Sequence, residues 1–445
     1  MAESGRGNYY YIDKADRIPE IFAKELDGLL NVVAQNTAVT IELPSGVKCE
    51  KVYGYPHIEE NGKITVALNG EIVAVGTTHE LLESVDLLDG ALLIDAEDHV
   101  VLPGLVDPHT HFIFAGSREH ELEMKIQGVP YLEILACGGG ILDTVRSTRA
   151  ASREDLIQVG AKYLGEMLAQ GTTTAEAKSG YGLTLDDELK MLDAVKILHE
   201  IQPVDLVPTF LGAHAVPEEY KDNPEGFVEL IMEKMLPALS GTGLARFCDV
   251  FCEDGVFSVD QSRRILLKAK ELGFDLKIHA DEMVPLGGAE LAADLGATSA
   301  DHLMMISEKG IKMLAASDTV AVVLPATTFC MMGKQYAPAR KMIDQGVAVA
   351  LSSDFNPGSS PVNSLQIVMG IACRQLKMTP AEVISAVTIN AAHAIGCASS
   401  VGSIEVGKKA DLVIFDAEDY RYLMYRFGTN LVERVIKSGK VVVGG

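Results

Sequence analysis

Two histidines separated by one residue, His109 and His111, sit in the run PGLVDPHTHF, Pro103 to Phe112. Side chains at i and i+2 of a strand share a face, so both imidazoles can reach one metal ion. A His-x-His pair by itself is more often surface or core, and imidazole becomes a convincing ligand only when partners converge. Partners of the right type follow: apolar runs end in His279 (DLKIHADE), His302 (TSADHL) and Asp354 (VAVALSSDFNPG).

The elements that carry these residues follow a regular rhythm. From Val101 to about Gly396 short apolar runs alternate with helical patterns, as in successive βα units. Eight strands are expected: VVLPGLVD, GTTTAEAK from Gly171, VDLVPTFLGAH from Val204, FCDVFCED from Phe247, DLKIHADE from Asp275, TSADHL from Thr298, TVAVVLPAT from Thr319 and VAVALSSD from Val347. Eight parallel strands with intervening helices make a TIM barrel, whose functional residues gather at the C-terminal strand ends. Every candidate above lies at such an end. Helix signals sit between the strands: Ser152 with Asp155 reads as a capping box with Gly171 as a stop, and Thr379, Pro380 and Glu382 read as N-cap, first-turn proline and acidic third position.

Outside the barrel, KITVALNGEIVAVG predicts a type I′ hairpin around Asn69-Gly70, and KKADLVIFD and RVIKSGKVVV read as strands. The expected fold is therefore α/β: a TIM (β/α)8 barrel over residues 101–396, with a small β-sandwich built from 1–100 and 397–445. The first 35 or so residues are weakly patterned.

Composition narrows the function classes. The chain has 445 residues, no tryptophan and a formal charge of -24, which argues against polyanionic partners such as nucleic acid or an anionic membrane surface. An anionic small substrate needs local positive charge inside the pocket. No apolar run approaches the roughly 18 residues of a membrane span, and the N-terminal stretch lacks a signal-peptide apolar core, so a cytoplasmic protein is expected. Seven cysteines, Cys49, Cys137, Cys248, Cys252, Cys330, Cys373 and Cys397, show no paired spacing. A disulfide framework is not expected, and Cys248 and Cys252 read as core thiols.

With His-x-His on the first strand and an aspartate on the last, the chain resembles the amidohydrolase superfamily. The runs FIFAGSREHELEMKIQGVPYLEILACGGGILDTVRSTRAAS, AKSGYGL, FLGAHAVP, HADE, ADHL and SSDFNPGSSPVNS, in that order, resemble within it the imidazolonepropionase family, ring-opening hydrolases of histidine degradation. The resemblance implies metal ligation by His109, His111, His279 and Asp354, with zinc or iron as the metal, and it suggests a homodimer. Three imidazoles and one carboxylate around an ion that keeps a position for water suit catalysis rather than a closed structural site.

Under that reading an activated water attacks the ring carbonyl carbon of 4-imidazolone-5-propanoate and N-formimidoyl-L-glutamate results. Asp354 is both ligand and proton acceptor, His302 donates to the oxyanion, and Glu282 relays a proton to the leaving ring nitrogen. Arg118 is the forked donor for the propionate, since a buried carboxylate is costly unless paired. The resemblance also implies substrate contacts from Tyr181 and His214, and from a loop of Asn356, Gly358 and Ser359 whose amide and backbone N–H groups can hold a carboxylate.

Some relatives in the superfamily bridge two metals with a carbamylated lysine on strand four. Here Lys178 ends strand two and strand four ends in FCEDG, so one Zn2+ or Fe3+ per chain is expected, with Glu253 leaving a carboxylate-bridged pair open. Gly138, Gly139 and Gly140 lack the lysine-serine pair of a phosphate loop and read as a mobile loop over the barrel mouth. His57, His79, His120, His199 and His393 match no motif and read as structural. Two rival functions remain, a metal-dependent deaminase of an aromatic ring and a non-catalytic barrel serving in assembly.

Overall fold

The computed structural model describes residues 98–444 apart from 130–132 and 134–137, together with 32–33, 37–42, 57–60, 63–68, 70–77, 81 and 92–96. All eight expected barrel strands form: β1 (Leu105–Asp107), β2 (Thr172–Lys178), β3 (Asp205–Ala213), β4 (Phe247–Cys252), β5 (Asp275–Ala280), β6 (Ser299–His302), β7 (Val320–Val323) and β8 (Val349–Leu351). They lie side by side in chain order in one parallel sheet. The ring closes between its two ends just beyond β1 and β8. There the Asp354 N–H donates to the His109 carbonyl (3.1 Å) and the His111 N–H to the Phe355 carbonyl (2.9 Å).

The first expected strand divides. Val100–Pro103 joins an antiparallel sheet with Leu412–Phe415, Val432–Lys437 and Lys440–Val443, and only Leu105–Asp107 enters the barrel. Gly104 is the crossing point: its N–H donates to the Asp411 carbonyl (2.7 Å), while the next N–H, of Leu105, donates to Gly171 (3.0 Å). A Cβ at Gly104 would overlap the Thr173 side chain, so only glycine lets the chain pass that close. His109 and His111 also lie just past the strand rather than on it. Pro108 lacks the N–H that a continued ladder needs.

The sheet at the C-terminal end packs Leu412, Ile414 and Ile436 against Ile72 and Ile404, and with the strands before residue 100 it makes the small β-sandwich built from both ends of the chain. The hairpin expected around Asn69-Gly70 does not form. Lys63–Leu68 is the central strand between Thr37–Glu42 and His57–Glu60, so both its edges are taken. The second run instead bridges Glu71 to Lys409 and pairs Ala74–Val75 with Val32–Val33. Asn69 itself lies outside the described residues.

Both expected helix starts are present, and each is a capping box. Ser152 caps the helix Arg153–Leu168 reciprocally with Asp155, and Thr379 caps Pro380–Ala386 with Glu382. Cys248 and Cys252 are buried free thiols of the core. No helix among the described residues is long and apolar enough to cross a membrane.

Candidate metal centre and substrate pocket

Strand alternation decides what the barrel encloses. In β2 (TTTAEAK), Ala175 and Ala177 pack outward in the main core, and Glu176 and Lys178 turn inward. Asp249 of β4, Lys277 of β5 and Asp301 of β6 meet them. Lys178 Nζ is 2.6 Å from Asp249 and 3.0 Å from Glu176, and Lys277 Nζ is 3.0 Å from Glu176. All five side chains are fully buried. Burial alone would lower the Lys178 pKa, but the Asp249, Glu176 and Asp301 carboxylates outweigh it and hold the ammonium above its usual range. A lysine so held stays protonated and is unsuited to carbamylation.

Two carboxylates of this layer reach up to the histidines. Asp301 Oδ2 accepts from His109 Nδ1 at 2.6 Å, and Asp249 Oδ2 lies 3.0 Å from His279 Nδ1. Burial and the neighbouring His279 and Lys178 keep the His109 pKa far below its ordinary value, and burial with His214 and His279 does the same for His111. A neutral imidazole whose Nδ1 is engaged below, as that of His109 is by Asp301, presents a lone pair at Nε2 above.

The upper atoms form a triangle. His109 Nε2 is 3.2 Å from His111 Nε2, and each lies 3.5 Å from Asp354 Oδ1. Two donor atoms each about 2.1 Å from one tetrahedral ion stand about 3.4 Å apart, so these spacings suit ligands of a shared cation. His279 brings a nitrogen within 4.8 Å of those of His109 and His111, and its Nε2 is buried without a hydrogen bond. An unpaired buried acceptor is costly, and a cation satisfies it. Thr327, on the short helix Pro325–Cys330 after β7, donates to Asp354 Oδ2 at 2.6 Å and so orients the carboxylate.

The proton-handling candidates line the same mouth. His302 Nδ1 stands 3.6 Å from Glu282 Oε1, and the His302 ring is 5.3 Å from that of His109. Burial pushes the Glu282 carboxyl up to about 8, with the Asp354 and Glu253 carboxylates adding to it. Burial, then His279, holds the His302 pKa well down. Asp281, His302, Leu303 and Asp354 all have left-handed backbones, with φ of 50°, 77°, 61° and 53°. Such strain, about 1–3 kcal/mol per residue, collects at functional sites. Glu253 is not free to bridge metals: its two oxygens accept from the N–H groups of Asp254, Glu282 and Met283.

On the substrate side, His214 stacks on His111 (4.9 Å between centroids, 16°), with Nδ1 3.0 Å from the Gly180 carbonyl and Tyr181 5.3 Å away. Burial takes the His214 pKa down to about 3. Arg118 is buried and forked onto Glu121. The loop of Asn356, Gly358 and Ser359 differs from the expectation. Asn356 Oδ1 accepts from the N–H groups of Gly358 (2.8 Å) and Ser359 (2.7 Å), and its Nδ2 donates to Asp354 O and Ser359 Oγ. The loop's donors are spent on one another, which makes it a rigid wall next to Asp354 rather than an open anion cradle. Gly140 likewise gives its N–H to Glu121 and heads the helix Ile141–Ala150.

Asp249, Asp301, Thr327 and Glu121 are not among the residues expected from sequence. A signal for the first was present: a charged residue inside the apolar run FCDVFC requires a buried partner. Of the unassigned histidines, His199 accepts the Leu206 N–H through Nδ1, a structural role, and His79 lies outside the described residues.

The profile of the amidohydrolase family matches residues 100–442, which spans the whole barrel and its companion sheet. This chain belongs to the amidohydrolase family. Among similar amidohydrolases, a protein of Alkaliphilus oremlandii named imidazolonepropionase is 56% identical over 386 residues, covering 87% of this chain and 91% of its own. One of the same name from Bacillus velezensis is 58% identical over 351 residues, 79% and 83% of the two chains. Among solved structures, the 5-methylcytosine deaminase of Klebsiella pneumoniae superposes with a TM-score of 0.65 at 18% identity, covering 85% of this chain and 94% of that one. At that identity the likeness speaks for the amidohydrolase fold alone.

Proposed function

We propose that this amidohydrolase opens the ring of 4-imidazolone-5-propanoate to N-formimidoyl-L-glutamate. The observation that carries the reading is the triangle of His109, His111 and Asp354 atoms with the His302–Glu282 pair beside it, in a chain more than half identical to proteins named for this reaction. His109, His111, His279 and Asp354 would hold one Zn2+ or Fe3+. An ion there lowers the pKa of a water toward neutrality and polarises the substrate carbonyl.

The chain's own groups do the rest. Asp354, its Oδ2 tied to Thr327, takes the proton of the attacking water as general base. His302, held neutral, donates an N–H to the carbonyl oxygen as negative charge develops there. Glu282, protonated at neutral pH, delivers its proton to the departing ring nitrogen. His214 and Tyr181 pack against the ring, and Arg118 pairs with the propionate.

The same reading divides the chain into a catalytic unit, 101–396, and a β-sandwich of 1–100 with 397–445. It takes the enzyme as a cytoplasmic homodimer working on a small molecule, with neither nucleic acid nor membrane as partner. The charge of -24 supports the last point. The test is single-turnover conversion of freshly prepared substrate, followed by loss of ring ultraviolet absorbance, with metal assayed in the same sample. Product formation at about one ion per chain is expected; a fully metallated protein that leaves the ring intact overturns the reading.

A further inference from the structure

We propose that Glu121 is a positioning residue that makes the pocket selective for a carboxylate-tailed substrate, by fixing the plane of the Arg118 guanidinium. The proposal rests on the reading above, in which Arg118 receives the propionate.

Glu121 is fully buried, whereas Glu119, His120, Leu122 and Glu123 around it are exposed. A buried carboxylate persists only when paired and hydrogen-bonded. Glu121 is paired from three directions. Arg118 Nε donates to Oε1 and Nη2 to Oε2, both at 2.9 Å; the Gly140 N–H donates to Oε1 at 2.6 Å; Lys125 Nζ lies 3.3 Å from Oε2. Burial would raise its pKa, but these donors and charges take it down to about 2. Lys125 also donates to the Gly358 carbonyl at 2.9 Å, which ties this cluster to the wall beside Asp354.

The fork decides where Arg118 points. A guanidinium has five N–H donors in one plane, and Glu121 takes two of them, which sets the plane. Its Nη1 lies against Gly358, where a Cβ would overlap it. Gly358 is four residues along the loop from Asp354, the proposed ligand carboxylate. One buried acid thereby holds the tail-binding cation at a fixed place relative to the metal ligands.

Charge and geometry make opposite demands here. As a counter-charge, Glu121 weakens the attraction of Arg118 for an anion, so its removal would tighten carboxylate binding. As a positioning group, its removal loosens the guanidinium and weakens binding. The experiment is steady-state kinetics of Glu121→Gln on 4-imidazolone-5-propanoate and on the same ring with a carboxamide tail.

The fork is made of hydrogen bonds between charged groups, so KM for the carboxylate substrate should rise about tenfold with kcat within about threefold. KM for the carboxamide should stay within about twofold of the wild-type value. A fall in KM for the carboxylate, or an equal loss on both substrates, overturns the proposal. A wild-type enzyme that does not distinguish the two tails removes the Arg118 reading, and this proposal with it. Should Glu121→Gln not fold, Glu121→Asp keeps the charge but is one methylene short of the fork, and the same split is expected.

Discussion

His302 and Glu282 face each other across 3.6 Å, and their environments push them toward opposite tasks. A neutral imidazole is a donor to an oxyanion, and a protonated carboxyl is an acid for a leaving nitrogen. His302→Ala should keep its metal content, checked by elemental analysis, while kcat falls about 100- to 1,000-fold. Glu282→Gln should lower kcat by about 100- to 10,000-fold. In the wild type, activity that depends on the protonated acid should decline as pH rises through about 8. The stability sign follows from the same shift. With a folded pKa above the ordinary 4.5, the native state binds more protons than the unfolded one between 4.5 and about 8, so stability falls across that window. Glu282→Gln removes the penalty, and at pH 8 the metal-free variant should melt above the metal-free wild type. At this scale the sequence exposed the candidate ligands, which the fold brings together, by their spacing and strand-end positions. Glu121 stayed hidden, because a glutamate flanked by exposed residues in SREHELEMK reads as a solvated face.

Elements supply the precision that single residues cannot. The inner faces of β2, β4, β5 and β6 carry a charged floor, and Asp301 rising from it fixes the tautomer of His109. Carboxylates that orient ligand histidines typically govern metal affinity 10- to 100-fold. Asp301→Asn should weaken metal binding by about that factor, read by competition with a chromophoric chelator, before any turnover is measured. Gly104 is the corresponding device between the two sheets: Gly104→Ala must displace the Thr173 side chain and should cost about 1–3 kcal/mol, visible as a lowered Tm. Strands and caps such as Ser152 with Asp155 were legible because their determinants are local. The split of VVLPGLVD was not, since Val100–Pro103 takes its ladder from Leu412–Phe415, more than 300 residues away, and nothing nearby announces that partner. The missing Asn69-Gly70 hairpin has another cause: a good local turn signal lost because His57–Glu60, which ends just before it, and Thr37–Glu42 took both edges of Lys63–Leu68.

At the scale of the molecule, a metal held by the proposed ligands would stabilise the barrel. A ligand that binds only the folded state adds about 2.7 kcal/mol when present at 100 times its Kd, so chelation should lower Tm and readdition of the ion restore it. The class of fold was readable from the βα rhythm alone, whereas the charged floor needed all the strands placed at once. The seam beyond β1 and β8 carries one more consequence. His109 and His111 emerge early from the ribosome, but Asp354 follows about 240 residues later, and the three come together only when the last strand seals the ring. A nascent chain therefore lacks the full set of proposed ligands until Asp354 has been made, and an ion held by all four would not template the early βα units. It would act as a clasp on a barrel already wound, which would leave choice of metal to the finished cavity and to the supply in its surroundings.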